Sequence, residues 1–545
     1  MLANSNGDDG YAVVFIILAT LICLWRLYCK RWRPDGTAFG SASWASDKLL
    51  RDWGMLGRHG LILGRTMNGA LIRLPRYCHL LLIGGTGSGK GIGVIIPNLL
   101  TYYLGSLVVF DTKGDLFATT ASRRKRNHQR IIRLAPFNGG TDTLNPLDTI
   151  PSDSPLLYDH AKSMAESLVV RQGTEPDQHW NDKAVQVITA LLVFVLRRLW
   201  DSERSLNSVQ DIASDPLMVA AVAEKLQEMG GIPARMGSGL KSLFEKPGVL
   251  SKEGSGVFST VARHLSFLDS DMVARSVAAS SFDVRSLLTP GVTLYLQIPP
   301  DQLDAQRGLL RCWVSTLIRV IGSSGCEETN EVLLMLDEAS ALGSLSAVEE
   351  ALVRGRSAGV RMLLVYQSDS QVRTAFKDKP TLIYDNCGTQ IHMGPPSSYE
   401  AAERQSKSLG DWTQVLESYG ENSSYSRSDQ SNNGGQSSRG QSMNYSQQGR
   451  ALLRPDELLR LGEEYVLAFV RGMPSAILAT RIKWYEDREF NPAAKKRPRP
   501  RRVSPAWLVW WMLVLALVCL TIRAKVYGYG YWQAEPQQGE VQWQR

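Results

Sequence analysis

The sequence predicts an α/β protein: a mostly parallel sheet with helices between its strands, an all-helical insertion, and an apolar segment near each end. Three observations predict it. Short apolar runs alternate with helical stretches from His79 to Ile482, the pattern of strands buried on both faces and joined by crossovers. Between roughly Ser152 and Asp283 that strand signal gives way to helical periodicity, clearest in Ala184–Trp200. Two long apolar runs, one at each end, have the length of a bilayer core.

Composition sets the outer limits. The chain has 545 residues, a hydrophobic fraction of 44% and a formal net charge of +8. That length allows about three domains, and the hydrophobic fraction excludes a fully disordered chain. Two apolar runs are too few for the bundle of a polytopic transporter. The mild positive charge permits a nucleic-acid or anionic-lipid partner without requiring one. The 7 cysteines form no CxxC pair and no HExxH is present, which argues against structural zinc and for a reducing, cytosolic body.

At the N-terminus, Tyr11–Trp25 is apolar throughout, and continuing to Cys29 gives 19 residues with Arg26 near the inner end. Asp8 and Asp9 precede the run, and Lys30, Arg31 and Arg33 follow it. A cleaved signal peptide has the opposite charge order, so residues 1–34 read as an uncleaved anchor. Near the C-terminus, Val503–Ile522 carries no charge over 20 residues and has Trp507, Trp510 and Trp511 at its near end. The polybasic linker 491–502 before it holds Lys495, Lys496, Arg497, Arg499, Arg501 and Arg502. Both basic flanks then face the cytosol and inner-membrane lipids, with a periplasmic tail at 523–545.

Between the anchors, buried strands are expected at His79–Ile83, Leu107–Asp111, Ile131–Leu134, Thr293–Ile298, Val332–Asp337, Arg361–Gln367 and Thr389–Met393. Tyr465–Val470 and Ala476–Ile482 flank Gly472, Met473 and Pro474 as a hairpin. This divides the body into a first α/β part at 35–151, the helical insertion at 152–283 and a second α/β part at 284–490. Ser418–Gly449 is rich in Ser, Gly, Asn and Gln. It has too little apolar surface to offset its ordering entropy and reads as a disordered loop.

The chemistry begins at the end of the strand His79–Ile83 with Gly84, Gly85, Thr86, Gly87, Ser88, Gly89, Lys90 and Gly91. Glycines let the backbone turn its N–H groups toward phosphate oxygens, and the following helix, broken early by Pro97, adds its dipole. Lys90 is placed to reach the β and γ phosphates of ATP. Gly91 stands where Ser or Thr ordinarily supplies a hydroxyl to Mg²⁺. A second motif, Val332–Glu338, is an apolar strand ending in adjacent carboxylates. Asp337 suits the Mg²⁺ site and Glu338 the base that polarises the attacking water.

Three further features have two readings each. Gln367, at the end of Arg361–Gln367, either touches the γ-phosphate or the catalytic water, or caps a loop. Asp111 or Asp115, after the strand Leu107–Asp111, either holds a metal-bound water or closes a salt-bridged turn. The run Arg123–Arg126 is either a solvated helix end or a DNA contact. Arg354 and Arg356 flank Gly355, and in an oligomeric ATPase one of them would reach a neighbour's γ-phosphate.

Together these residues resemble the coupling proteins of type IV secretion systems, the TraG/TraD-like conjugative DNA transfer ATPases. The resemblance runs over residues 35–490 through Phe39–Ala45, the loop 85–91, Asp111–Leu116, Asn145–Leu147, His179–Asn181, Leu336–Glu338 with Leu342 and Gly343, Gln367 and Ser368 with Gln371, and Leu453–Leu458. It implies a RecA-like P-loop NTPase domain with an inserted all-α domain, and an inner-membrane homohexamer using ATP and Mg²⁺. It implies as partners a relaxase–DNA complex or secreted effectors, single- or double-stranded DNA, and components of the secretion channel. It assigns the arginine finger to Arg356 and makes Gly91 ordinary, since such members often have GKG there. The family usually has two N-terminal spanning helices, whereas this chain has one run at each end. The expected function is an ATPase that recruits a relaxase–DNA complex and powers its delivery into the channel. The alternatives are an exporter of protein effectors without DNA, and a nucleotide-gated receptor or scaffold with negligible turnover.

Overall fold

The computed structural model describes residues 37–494 apart from 77, 172–177, 324–330, 378 and 427–435. Both expected membrane segments, most of the polybasic linker and the tail lie outside the described residues. Among the described residues no helix is long and apolar enough to cross a membrane. The described residues Tyr485–Ala494 belong to a separate unit. In its described part the Asp487 carbonyl accepts from the N–H groups of Phe490 and Asn491.

The strands are β1 (Leu61–Arg65), β2 (Leu71–Leu74), β3 (His79–Gly84), β4 (Ser106–Phe110), β5 (Arg130–Leu134), β6 (Phe244–Lys246), β7 (Val249–Leu250), β8 (Val292–Leu296), β9 (Val332–Leu336), β10 (Val360–Tyr366), β11 (Cys387–Met393), β12 (Asp411–Ser426), β13 (Gln436–Ala451), β14 (Tyr465–Val470) and β15 (Ile477–Thr480). Eleven of them form one sheet in the order β2-β1-β15-β14-β11-β3-β10-β9-β4-β8-β5. From β11 to β5 every pairing is parallel. From β11 to β2 every pairing is antiparallel. The central parallel strands are mostly apolar because both faces are covered: β4, β8, β9 and β10 are buried at every residue. Strand β3 lies between β10 and β11, so the phosphate-loop strand is central, as expected for a neighbour of Arg361–Gln367.

The chain leaves this sheet after β5 and returns at β8. Between them lie helices Leu157–Leu168, His179–Arg198, Leu206–Ser214, Pro216–Glu228, Gly231–Lys241, Lys252–Leu265 and Asp271–Ser276. Helix His179–Arg198 is apolar on nearly all sides because its neighbours surround it, and its buried residues run from Asn181 to Leu196. The insertion is not wholly helical. A small hairpin, β6–β7, interrupts it where Pro247 and Gly248 (φ +79°) form a tight turn. Sheet and insertion share one continuous apolar core.

Helix Arg307–Ser323 ties the two parts together. Buried Arg311 donates through Nε to Ser167 O at 2.9 Å, and through Nη1 to Leu342 O at 2.6 Å and Ser344 O at 2.7 Å. Trp313 Nε1 donates to Leu144 O at 3.2 Å. A guanidinium kept from water needs such carbonyls, since a buried unpaired charge is costly. Burial pushes the Arg311 pKa down to about 10, with the neighbouring Arg307 charge acting in the same sense.

The expected disordered loop at 418–449 is corrected at 418–426 and 436–449, while 427–435 lie outside the described residues. β12 and β13 form an antiparallel ladder from Asp411↔Ala451 to Ser426↔Gln436. Composition measures the apolar area a segment can bury, whereas a hairpin satisfies its N–H and C=O groups by its own pairing. Its base is fixed to the N-terminal segment: Thr413 N donates to Gly40 O at 3.1 Å, and Phe39 N to Thr413 Oγ1 at 2.9 Å.

Candidate functional site

The parallel strands deliver their polar residues to one edge of the sheet, outside their C-terminal ends, where open α/β sheets bind ligands. β3 ends in the loop Gly84–Gly91, β9 in Asp337 and Glu338, β10 in Gln367, β4 in Asp111 and β8 in Gln297. The loop turns through Gly87 (φ +83°) and Gly89 (φ +80°), a region that side-chain-bearing residues avoid. The chain then passes through one π-helical turn, Gly91–Ile95, before the α-helix Ile96–Thr101. Pro97 therefore sits in a first turn, where its missing N–H costs nothing. Asn98 anchors this helix to β1: Ile62 N donates to its Oδ1 at 2.7 Å, and its Nδ2 donates to Ile62 O at 2.9 Å.

Three of the predicted residues are joined by hydrogen bonds. Thr86 Oγ1 donates to Gln367 Oε1 at 3.3 Å, and Gln367 Nε2 donates to Glu338 Oε2 at 2.9 Å. The other carboxylate oxygen of Glu338 accepts from Ser340 Oγ. The phosphate loop, a strand-end amide and the proposed base thus form one chain across adjacent strands β3, β10 and β9. Lys90 Nζ donates to Gly84 O at 2.6 Å and Gly85 O at 3.2 Å. Burial lowers the Lys90 pKa, with Asp337 and Glu338 opposing that shift. Burial pushes the Asp337 carboxyl up to about 6, while Lys90 pulls it down.

Asp111, after β4, is held by hydrogen bonds within its own turn. Asp111 is fully buried. Its Oδ1 accepts from Gly114 N at 2.8 Å, and its Oδ2 from Phe117 N at 2.9 Å and Gln297 Nε2 at 2.9 Å. It closes the turn into helix Asp115–Arg126 with backbone bonds, not with a salt bridge. Both readings of the run Arg123–Arg126 are corrected at Arg124, which is 0% exposed. It donates to Leu99 O at 2.6 Å, Tyr102 O at 3.0 Å and Thr293 Oγ1 at 2.7 Å. A charge run gives no sign of which member points inward; here the helix lies on the sheet, and Arg124 satisfies the carbonyls that end Ile96–Thr101. Arg356 lies in the turn Gly355–Ala358 after helix Ser346–Arg354.

Sequence reasoning missed Gln297, Ser340 and Arg481, each a single polar residue without a motif. Arg481 Nη1 donates to Ser88 O at 2.7 Å. Pairing through the sheet brings Gln297 and Arg481 to the site, whereas Ser340 lies two residues after Glu338.

Whether the residues present fit a magnesium-bound triphosphate can be tested on two atoms. Ser88 Oγ is buried in the loop with no hydrogen-bond partner, and Asp337 is a carboxylate whose charge burial disfavours. Both are arrangements that a bound anion and cation would relieve. The residues fit: Asp337 would hold Mg²⁺, which neutralises phosphate charge when bound. Among the described residues no cluster of three or more His, Cys, Asp or Glu forms a metal site of its own.

The comparisons with known proteins agree with this geometry. A family model described as type IV secretory system conjugative DNA transfer matches residues 43–503. A conjugal transfer protein TraG of Escherichia coli is 27% identical over 565 residues, which cover 93% of this chain and 85% of that protein. Protein VirD4 of Rhizobium radiobacter is 26% identical, covering 88% of this chain and 68% of its own. Among solved structures, the bacterial conjugative coupling protein TrwB matches with a TM-score of 0.58 at 20% identity, over 86% of this chain and 97% of that one. TrwB in complex with ADP and Mg²⁺ matches with a TM-score of 0.57 at 19% identity, over 83% of this chain and 96% of that one. At that identity the likeness shows a shared α/β fold.

Proposed function

This chain belongs to the type IV secretory system conjugative DNA transfer family, and we propose that it is an ATPase that recruits a relaxase–DNA complex and powers its delivery into a type IV secretion channel. The observation that carries the reading is the chain Thr86–Gln367–Glu338. It joins the loop that would hold the phosphates to a carboxylate fixed on both oxygens. In this reading Lys90 leaves the carbonyls of Gly84 and Gly85 for the β and γ phosphates, whose charge outcompetes theirs. Glu338 accepts the proton of the attacking water, and Gln367 positions that water against the γ-phosphate. Arg356 reaches the γ-phosphate of a neighbouring subunit in a homohexamer.

The apolar runs at 11–29 and 503–522 support anchoring at both ends, with the body on the cytoplasmic side of the inner membrane. The family description favours DNA over protein effectors as cargo. The test is phosphate release by the full-length protein in lipid nanodiscs, with and without single-stranded DNA. Turnover that depends on Mg²⁺ and rises with DNA supports the reading. Nucleotide binding without turnover under any of these conditions overturns it in favour of a nucleotide-gated scaffold.

A further inference from the structure

Gly89, in the phosphate loop at positive φ, and Gly93, one helical turn further on, both lie against the Arg481 side chain, with Met393 Cε equally close to Gly93. A Cβ at Gly89 would stand 2.8 Å from Nη1 of Arg481, and a Cβ at Gly93 would stand 2.9 Å from its Cγ. Arg481 follows β15, and its N–H is fixed by Glu464 O, just before β14, at 2.6 Å. The closing hairpin therefore lays a half-buried arginine across the start of the loop helix. Its Nη1 spends one donor on Ser88 O. Among the described residues its Nε and Nη2 make no hydrogen bond. A guanidinium carries five donors in a rigid fork, suited to phosphate.

The loop also has a direction. At Thr86 it bonds Gln367, the residue at the γ-phosphate end. From there it runs through Lys90 to Gly91, where a Cβ would meet nothing within 4 Å. Backbone N–H groups at this point of such a loop face the α and β phosphates. Arg481 sits at that far end, beside Gly89 and Gly93.

We propose that Arg481 is a nucleotide-binding residue that grips the α-phosphate end of the bound nucleotide and fastens the β14–β15 hairpin to the occupied loop. The inference rests on the nucleotide-binding reading above and adds a residue to it. It predicts a signature different from that of the γ-end residues. ADP and ATP share the α-phosphate, so both lose the contact equally, and turnover at saturation is unaffected.

The experiment titrates fluorescent ADP and ATP against full-length wild type, Arg481→Gln and Arg481→Met, and measures phosphate release at saturating ATP. Arg481→Gln removes the charge but keeps a shorter polar side chain, and Arg481→Met keeps the apolar stem without a donor. Both variants are expected to bind ADP and ATP more weakly by the same factor, about tenfold or more for a charged hydrogen bond. Turnover at saturation stays within about twofold, the signature of a lost binding contact. Wild-type affinities in the folded Arg481→Gln protein, or a loss confined to ATP, would overturn the proposal. Failure of the wild type to bind either nucleotide would instead refute the nucleotide-binding reading, and this inference with it.

Discussion

Gln367 and Glu338 stand at the ends of neighbouring parallel strands, β10 and β9, and are joined by a 2.9 Å bond from Nε2 to Oε2. The parallel register places both residues at one edge of the sheet, and Thr86 closes the chain from β3 on the other side. The amide can therefore sense the phosphate loop and the base at once.

Gln367→Ala removes that amide and leaves the lysine and both carboxylates in place. Turnover is expected to fall about 10- to 100-fold, with ATP affinity changed by less than about threefold, because positioning acts mainly on the transition state. Phosphate release and nucleotide titration on the same preparation check it. Unchanged turnover with weakened binding would make Gln367 a loop cap.

Gly91 tests the magnesium arrangement. A Cβ there has open space around it, and its φ is not positive. Gly91→Ser is expected to fold with a stability within about 0.5 kcal/mol of wild type. It should lower the Mg²⁺ concentration needed for half-maximal turnover, since the new hydroxyl stands where a Mg²⁺ ligand is usual. A magnesium titration with no shift would show that the site works without a ligand at this position.

Asp337 links the site to pH. Its folded pKa of about 6 lies above the unfolded value near 4, so folding favours the neutral acid. The stability this contributes is complete below about pH 4 and is lost as the pH rises through about 6. Asp337→Asn should thus stabilise the nucleotide-free protein at pH 7.5 by about 1 kcal/mol or more, roughly 1 °C or more in Tm for a unit of this size. The gain should vanish as the pH approaches 4, and turnover should be lost with it at every pH. Melting curves at several pH values check the sign; a destabilised Asn variant at pH 7.5 would contradict it.

Much of this was legible in the sequence for a physical reason. Strands covered on both faces, such as Val332–Leu336 and, after Arg361, Met362–Tyr366, are apolar residue after residue, so they stand out as runs. The phosphate loop shows because glycine is needed where φ is positive. What stayed hidden depends on pairing or on single residues. The hairpin β12–β13 is held by backbone bonds that composition does not reveal. The short strands β1 and β2 at that end of the sheet give no clear signal, because four or five residues carry too little pattern. Arg124 hid inside a basic run, and Arg481 lies 393 residues from the carbonyl it holds.

Arg356 carries the proposed contact between subunits. Arg356→Ala is expected to bind ATP normally and to lose about 10³-fold or more in turnover. Mixing it with wild type should depress the wild-type rate by more than its share, because each defective subunit disables its neighbour. Strictly additive activity at every ratio would remove the residue from the shared site.

The most direct measurement is phosphate release by Glu338→Gln beside Lys90→Ala, with ATP binding recorded for both. If the Thr86–Gln367–Glu338 chain is the hydrolytic site, Glu338→Gln binds ATP as wild type does and releases phosphate at least about 100-fold more slowly. Lys90→Ala loses binding itself, since it removes the charge that holds the phosphates. Wild-type turnover in Glu338→Gln would contradict the account, because the base would then lie elsewhere.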